Sequence, residues 1–298
     1  MQVFLSNVKR NTKLFFKDKG LFFTSLITPL ILLVLYATFL SNVYKSSFEQ
    51  VFASFKATVS DKALSGLVSG QLMSSLLAVS CVTVSFCSNM LMVQDKVNGT
   101  YNDLMITPLK RSTLALSYYV ATTISTLIVC YIALGACLIY VALTGWFLTF
   151  VDVILLVIDI FIMVAFGTAL SSVINYFLSS QGHISAVGSI VSSCYGFICG
   201  AYMPLASFSE GLRNVVMFLP GTYGTALFRN HSLNGVLNEI SKTAPQAIKG
   251  IKDSIDCNLY FFSAKVDMLT MYIVVIASIA VLITAYVLIN KFCKKKSK

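Results

Sequence analysis

Charge is what this sequence has least of. Only 11% of its 298 residues are Asp, Glu, Lys or Arg, against about 25% in an ordinary soluble domain. Apolar side chains make up 57%, and mean hydropathy is +0.81. A soluble enzyme, a disordered chain and a secreted disulfide scaffold are excluded on these figures. The sequence also has no G-x-x-x-x-G-K-[ST] stretch, so it carries no P-loop for ATP. No cysteine pair has metal-finger spacing with histidine partners, and no group of His, Glu or Cys converges on one point. No metal site and no catalytic residue is therefore expected. The basic first 20 residues are not followed by a short apolar core with a small-residue cleavage site, so the first apolar run is expected to remain as an anchor.

What the chain does have is length without charge. Residues 21–40, 67–94, 112–151, 160–209 and 268–290 contain no Asp, Glu, Lys or Arg. A membrane-spanning helix takes about 20 apolar residues, so the two longest runs must each hold two helices. The first breaks at Thr144-Gly145-Trp146 and the second between Asn175 and His183, where Ser179-Ser180-Gln181-Gly182 reads as a polar turn. Six spans follow, at 21–41, 67–93, 114–143, 148–174, 184–203 and 268–290. With the N-terminus inside, the cytoplasmic segments hold 13 basic residues and three acids, which the positive-inside rule favours. Both termini are then cytoplasmic. The net charge of +10 reads as topology and attraction to anionic lipid, not as a nucleic-acid footprint.

Residues 1–20 form one unit, an amphipathic helix with Phe4, Leu5, Val8, Phe15 and Phe16 on one side and Arg10, Lys13 and Lys17 on another. Gly20 is its expected stop. Such a helix lies in the membrane interface, either as an anchor or as a lever that also touches a cytoplasmic partner. Residues 21–298 form the six-span domain. Six of the eight cysteines fall inside spans, where Cys packs as a small hydrophobe. Cys257 stands alone outside, and Cys293 lies in the basic tail.

The segment 94–111 is the most informative. Asn98-Gly99 ends the second span, Thr100 is placed to N-cap a short helix with Asp103 in the capping-box position, and Pro108 ends it. This helix of one or two turns projects Tyr101, Leu104 and Met105 toward the cytoplasm, as a knob that fills a groove or as a capped turn on the bilayer. The segment resembles the cytoplasmic loop of the type-two ABC transporter permeases, whose pattern is Glu-Lys, Gly-Thr, Leu and Thr-Pro-x-x-Arg. Lys96, Gly99, Thr100, Leu104, Thr107, Pro108 and Arg111 match it; Asp95 stands where Glu is usual and Asn102 where a second Glu is common. A second block, Gly200, Pro204-Leu205, Pro220-Gly221-Thr222-Tyr223 and Arg229, is similar to that family's block at the outer end of the fifth span. It departs at Phe208-Ser209 and Gly221.

The resemblance implies an all-α integral membrane protein with a cytoplasmic coupling helix, re-entrant helices after the fifth span and an outer region over 204–267. Asp95, Lys96, Gly99, Thr100, Tyr101, Leu104, Met105, Pro108 and Arg111 would then couple the chain to a separate ABC ATPase, which binds ATP and magnesium. Pro204, Pro220 and Tyr223 would form an outer gate. The interruptions at Pro220, Gly221 and Gly224 suit re-entrant helices, which survive only where protein or water covers their backbone.

Two stripes of small and polar residues mark a possible transport surface: Gln71, Ser75, Ser85 and Asn89 on the second span, and Ser189, Ser193, Gly196 and Gly200 on the fifth. Such stripes pack helices closely or line a path at a dimer interface. Asp159 lies near mid-membrane with no Lys, Arg or Glu partner in any span, which leaves open a proton relay. The sequence is thus expected to be the permease subunit of an ATP-driven exporter in the cell membrane. It would work as a homodimer, with a heterodimer as the alternative, moving a drug-, antibiotic- or lipid-like substrate. Polysaccharide or peptide export and proton-coupled transport through Asp159 are the alternatives.

Overall fold

The computed structural model describes residues 2–54, 59–106, 110–262 and 264–292. Thr107, Pro108 and Leu109 lie outside the described residues, as do Cys293 and the lysines of the tail. The first helix, α1 (Gln2–Lys17), buries Asn7, Val8, Asn11 and Phe15 and packs on α7 (Arg111–Thr144). Leu5, expected on the apolar face, is exposed. The stop comes at Asp18, not Gly20: Asp18 is the N-cap of α2 (Lys19–Leu35) and accepts the Leu21 N–H at 3.1 Å.

From α2 the chain continues without a break through a π-helical turn (Tyr36–Leu40) into α3 (Ser41–Ser54). The expected end at residue 41 is therefore about three turns too early. No Gly or Pro interrupts 41–54, and Tyr44, Phe48 and Phe52, four residues apart, are all buried beside the next helix, α4 (Asp61–Ser88). The apolar rod Lys19–Ala53 has 35 residues, or about 52 Å at 1.5 Å per residue. That exceeds a hydrocarbon core of about 30 Å, so its α3 half serves the protein's own packing.

The central element is α4 (Asp61–Ser88), capped by Ser60 through the Ala63 N–H. It is surrounded by α2, α7, α8 (Phe150–Phe177), α9 (Gln181–Ile198) and α11 (Pro220–Thr243). In the apolar window of this helix 89% of residues are buried within the chain, against 11% in α13 (Met268–Phe292). One helix is the axis of the molecule and the other faces its surroundings. Asn89 separates α4 from α5 (Met90–Val97), and Gly99, at a φ of 82° open to glycine, turns the chain into α6 (Thr100–Ile106). The Gly99 carbonyl accepts the N–H groups of Asn102 and Asp103. Gly99, not Thr100, thus occupies the cap position.

Between α7 and α8 the turn ends at Thr149, which forms a full capping box with Asp152. Among the described residues, five helical runs are long and apolar enough to cross a membrane: Lys19–Ala53, Asp61–Val97, Arg111–Thr144, Phe150–Phe177 and Met268–Phe292. The place of the expected fifth span is taken by α9, 18 residues long, which is not one of these five.

The region after α9 departs most from expectation. Pro220, Gly221 and Gly224 do not interrupt it. Pro220 starts α11, a continuous helix of 24 residues, at the first position, where its missing N–H costs no hydrogen bond. Leu233, Val236, Leu237 and Ile240 of α11 join Ala247 and Ile251 in the main core. Cys257 is buried there as well. The short helices α10 (Glu210–Val216) and α12 (Ile248–Ser254) flank α11, and an antiparallel hairpin, β1 (Leu259–Phe261) with β2 (Ala264–Val266), leads into α13.

Candidate functional site

At the end of the bundle that carries α1, α5 and α6, the residues of segment 94–111 expected to couple the chain to an ATPase point largely inward. Asp95 is buried. Its Oδ2 accepts from Arg10 Nη1 at 2.9 Å and from the Tyr118 hydroxyl at 2.5 Å, so one carboxylate joins α1, α5 and α7. Lys96 reaches the other way: its Nζ donates to the carbonyls of Tyr176 at 2.9 Å and Asn175 at 3.2 Å, among the last of α8. A cation at a helix C-terminus is favoured by the exposed carbonyls there. The same ammonium lies 5.1 Å from the Tyr176 ring and 5.9 Å from the Tyr101 ring, within cation–π range.

Tyr101, Leu104 and Met105 are half-buried and pack against Met92, Leu114, Ala115, Tyr118 and Tyr286. They do not stand out as a free knob, because those side chains already offer them an apolar bed. The outward face of α6 is Asn102, Asp103 and Ile106, and Ile106 is 83% exposed. Arg111 opens α7 and is exposed. Pro108 cannot be placed, being outside the described residues.

The stripe on α4 is consumed within the chain. Gln71, Ser75, Ser85 and Asn89 are all buried. The Asn89 amide donates to Ser171 at 3.0 Å and Ser172 at 3.1 Å, and Ser85 meets Thr168 at 3.3 Å. These two residues therefore hold α4 to α8. On α9, by contrast, Ser189 and Ser193 are exposed, next to exposed Ile190 and Phe197. Gly196 is covered by the Tyr202 ring, while Gly200, at a φ of 73°, ends the helix turn. The Gly-x-x-x-Gly pair is thus a helix terminus and not a crossing point between helices.

At the opposite end, Arg229 is 1% exposed. It donates through Nη1 to Asp256 Oδ2 at 2.9 Å and through Nη2 to the Gly200 carbonyl at 2.5 Å. The same Asp256 oxygen accepts the Leu205 N–H at 2.8 Å. Burial pushes the Asp256 carboxyl above its ordinary value, opposed by the Arg229 charge. Pro204 is half-buried just before this contact. In the Pro220–Tyr223 motif, the Thr222 hydroxyl donates to the Val216 carbonyl at 2.9 Å and the Tyr223 hydroxyl to the Met217 carbonyl at 2.7 Å. The Val216 carbonyl also accepts the Leu219 N–H, so the two hydroxyls tie the start of α11 to the end of α10.

Asp159 has partners that sequence reasoning missed. His231 Nδ1 lies 2.5 Å from its Oδ2, and the Tyr272 hydroxyl donates to its Oδ1 at 2.6 Å. Asn230, His231 and Ser232 lie within α11, and the Asn230 amide is held by the Ala226 and Cys257 carbonyls. The available signal was the three- and four-residue spacing of Leu233, Val236, Leu237 and Ile240, which marks a helix with a buried face.

The family model described as ABC-2 type transporter matches residues 2–231. No curated protein matches the chain.

Proposed function

The chain belongs to the ABC-2 type transporter family, and on that premise we propose that this multi-pass membrane protein is the permease subunit of an ATP-driven exporter in the cell membrane. The cargo is a hydrophobic or amphipathic molecule taken from the cytoplasm or the inner leaflet. A separate ABC ATPase binds ATP and magnesium and docks on the α6 end, which faces the cytoplasm. Two copies of the chain form the working transporter.

The observation that carries this reading is the mounting of α6. A seven-residue helix has little stability of its own, yet Asp95, Lys96 and the Tyr101 bed fasten it to α1, α7, α8 and α13. Force applied at Ile106 then reaches four other helices. The test is co-purification of the tagged chain with its ATPase, for the wild type and for Ile106→Asp. Loss of the ATPase from a folded variant supports the docking role, and unaltered co-purification sinks it.

The buried Asp159–His231–Tyr272 cluster favours a second reading, proton-coupled transport. If Asp159→Asn leaves the rate and the pH-dependence of transport unchanged, that reading fails.

A further inference from the structure

Tyr286 of α13 packs beside Tyr101 of α6, which puts Met268 at the other end of the bundle. There a cavity of about 300 Å³ opens between the starts of α8 and α13 and the middle of α11, the size of a small ligand site. Two opposite charges line it without meeting. Asp152 is 1% exposed, and its side chain accepts from neutral donors alone. These are the Thr149 N–H at 2.9 Å and hydroxyl at 2.7 Å on Oδ2, and the Asn234 amide at 2.9 Å on Oδ1. A carboxylate accepts about four hydrogen bonds, so Oδ1 has a position open. Lys252, half-buried on α12, lines the same cavity. Its ammonium has no hydrogen bond or ion pair among the described residues. Charges drawn out of water are ordinarily paired, because each one left alone costs its desolvation.

Two further lining residues offer acceptors. His231, 4% exposed, holds Asp159 through Nδ1, and its Nε2 has no partner among the described residues. In a neutral ring that donates through Nδ1, Nε2 accepts. Asn230 gives both amide hydrogens to the Ala226 and Cys257 carbonyls, each at 2.8 Å, which leaves it Oδ1. Asp152 Oδ1, Asn230 Oδ1 and His231 Nε2 thus belong to one cavity, with the Lys252 ammonium beside them. Val151, Leu155 and Met268 form its apolar side. Val151 and Met268 are exposed, and Ile154 and Ile158 continue the exposed face of α8 below them.

We propose that this cavity holds the head of an ethanolamine phospholipid, with the ammonium on Asp152 Oδ1, Asn230 Oδ1 and His231 Nε2, the phosphate on Lys252, and the acyl chains along the exposed starts of α8 and α13. The match is one of number and sign. A primary ammonium has three N–H donors for the three acceptors, and it sets a positive charge beside the buried carboxylate. The phosphate at the other end of the same head takes a charge-assisted bond from Lys252. A choline head has the charges without the donors, and a glycerol head has the phosphate without the positive charge. Both α8 and α13 are long and apolar enough to span a membrane, so a lipid reaches the cavity from the side without leaving the bilayer. The inference goes beyond the export reading: it needs neither the ATPase nor a second copy of the chain.

The test is equilibrium binding of radiolabelled dioleoylphosphatidylethanolamine to the full chain in mild detergent. Unlabelled dioleoylphosphatidylcholine, dioleoylphosphatidylglycerol and free phosphoethanolamine serve as competitors. Saturable binding is expected, with each competitor at least tenfold weaker than the unlabelled ethanolamine lipid. Lys252→Gln should weaken binding about tenfold, the effect of losing one hydrogen bond between charged groups. The melting temperature of the lipid-free chain should stay where it is, since among the described residues nothing is bonded to that ammonium. His231→Asn should weaken binding to a similar extent, because the Asn amide replaces Nδ1 as a donor to Asp159 while nothing replaces Nε2. Should His231→Asn fail to fold, Lys252→Gln decides alone. Absence of saturable binding, or wild-type affinity in either folded variant, overturns the proposal. Displacement by the choline or glycerol lipid as effective as by the ethanolamine lipid would mean an unselective lipid surface and also overturns it. Equal displacement by free phosphoethanolamine would assign the cavity to a soluble zwitterion and overturn the lipid as its occupant.

Discussion

Asp95 shows how one residue type in a motif can serve the chain rather than a partner. It stands in the coupling segment, yet its carboxylate is 8% exposed and is taken by Arg10 and Tyr118. Removing one member of a buried pair strands the other. Asp95→Leu is therefore expected to lower stability by about 1–3 kcal/mol, between the values for an exposed and a fully buried pair because Arg10 is 31% exposed. Adding Arg10→Met should restore part of the loss, and thermal melts of the two single variants and the double variant measure the coupling. Additive losses would mean that the two residues do not act as a pair. Cys257 supports a second prediction at this scale. Burial pushes its thiol up to about 12, and only the thiolate reacts, so a maleimide at neutral pH should leave Cys257 unlabelled until the chain is unfolded. Rapid labelling of the native protein would show that the Arg229–Asp256 region opens. Asp95, Lys96 and Arg229 were legible as important because they sit in motifs. Their bonding was not, since Arg10 is 85 residues from Asp95 and His231 is 72 from Asp159. Local spacing carries no information about pairs at such separations.

At the scale of elements, breakers located the ends of helices well and continuity poorly. Asn98-Gly99, Thr144-Gly145 and the 178–180 turn all separate helices as their composition demands. The α3 extension and α11 were missed for opposite reasons. In α3 the polar residues Ser41, Asn42 and Lys45 resemble a loop, while the buried Tyr44, Phe48 and Phe52 keep it helical. In α11 the leading Pro and two Gly resemble an interruption, while tertiary packing overrides their weak propensity. Lys96 offers a prediction on how α6 is held. Lys96→Met removes its bonds to the end of α8 and its position over Tyr101. Each is worth about 1 kcal/mol, so amide exchange in residues 100–106 should accelerate roughly thirtyfold while the interior of α8 stays protected. Unchanged exchange in α6 would leave the apolar bed as its sole support.

For the whole molecule, the arrangement around α4 decides which face is left for a second copy. Both small-residue stripes could have met across a dimer, and nothing in the sequence distinguishes them. Enclosure does: α4 is wrapped by α2, α3, α7, α8, α9 and α11, and its Ser85 and Asn89 are bonded to α8, whereas Ser189, Ser193, Ile190 and Phe197 of α9 remain on the surface. A polar and apolar mixture on an exposed helix face within lipid is best covered by protein. The proposed homodimer therefore uses α9 and not α4. In a chain carrying Cys194→Ser, to remove the exposed native thiol, Ser193→Cys should form an intermolecular disulfide under mild oxidation in membranes. Ser75→Cys, buried at 1% exposure, should not. A crosslink through position 75 would require α4 to reach the surface and would reverse the assignment. The absence of any crosslink at 193, with the protein stable and inserted, would remove α9 from the dimer interface.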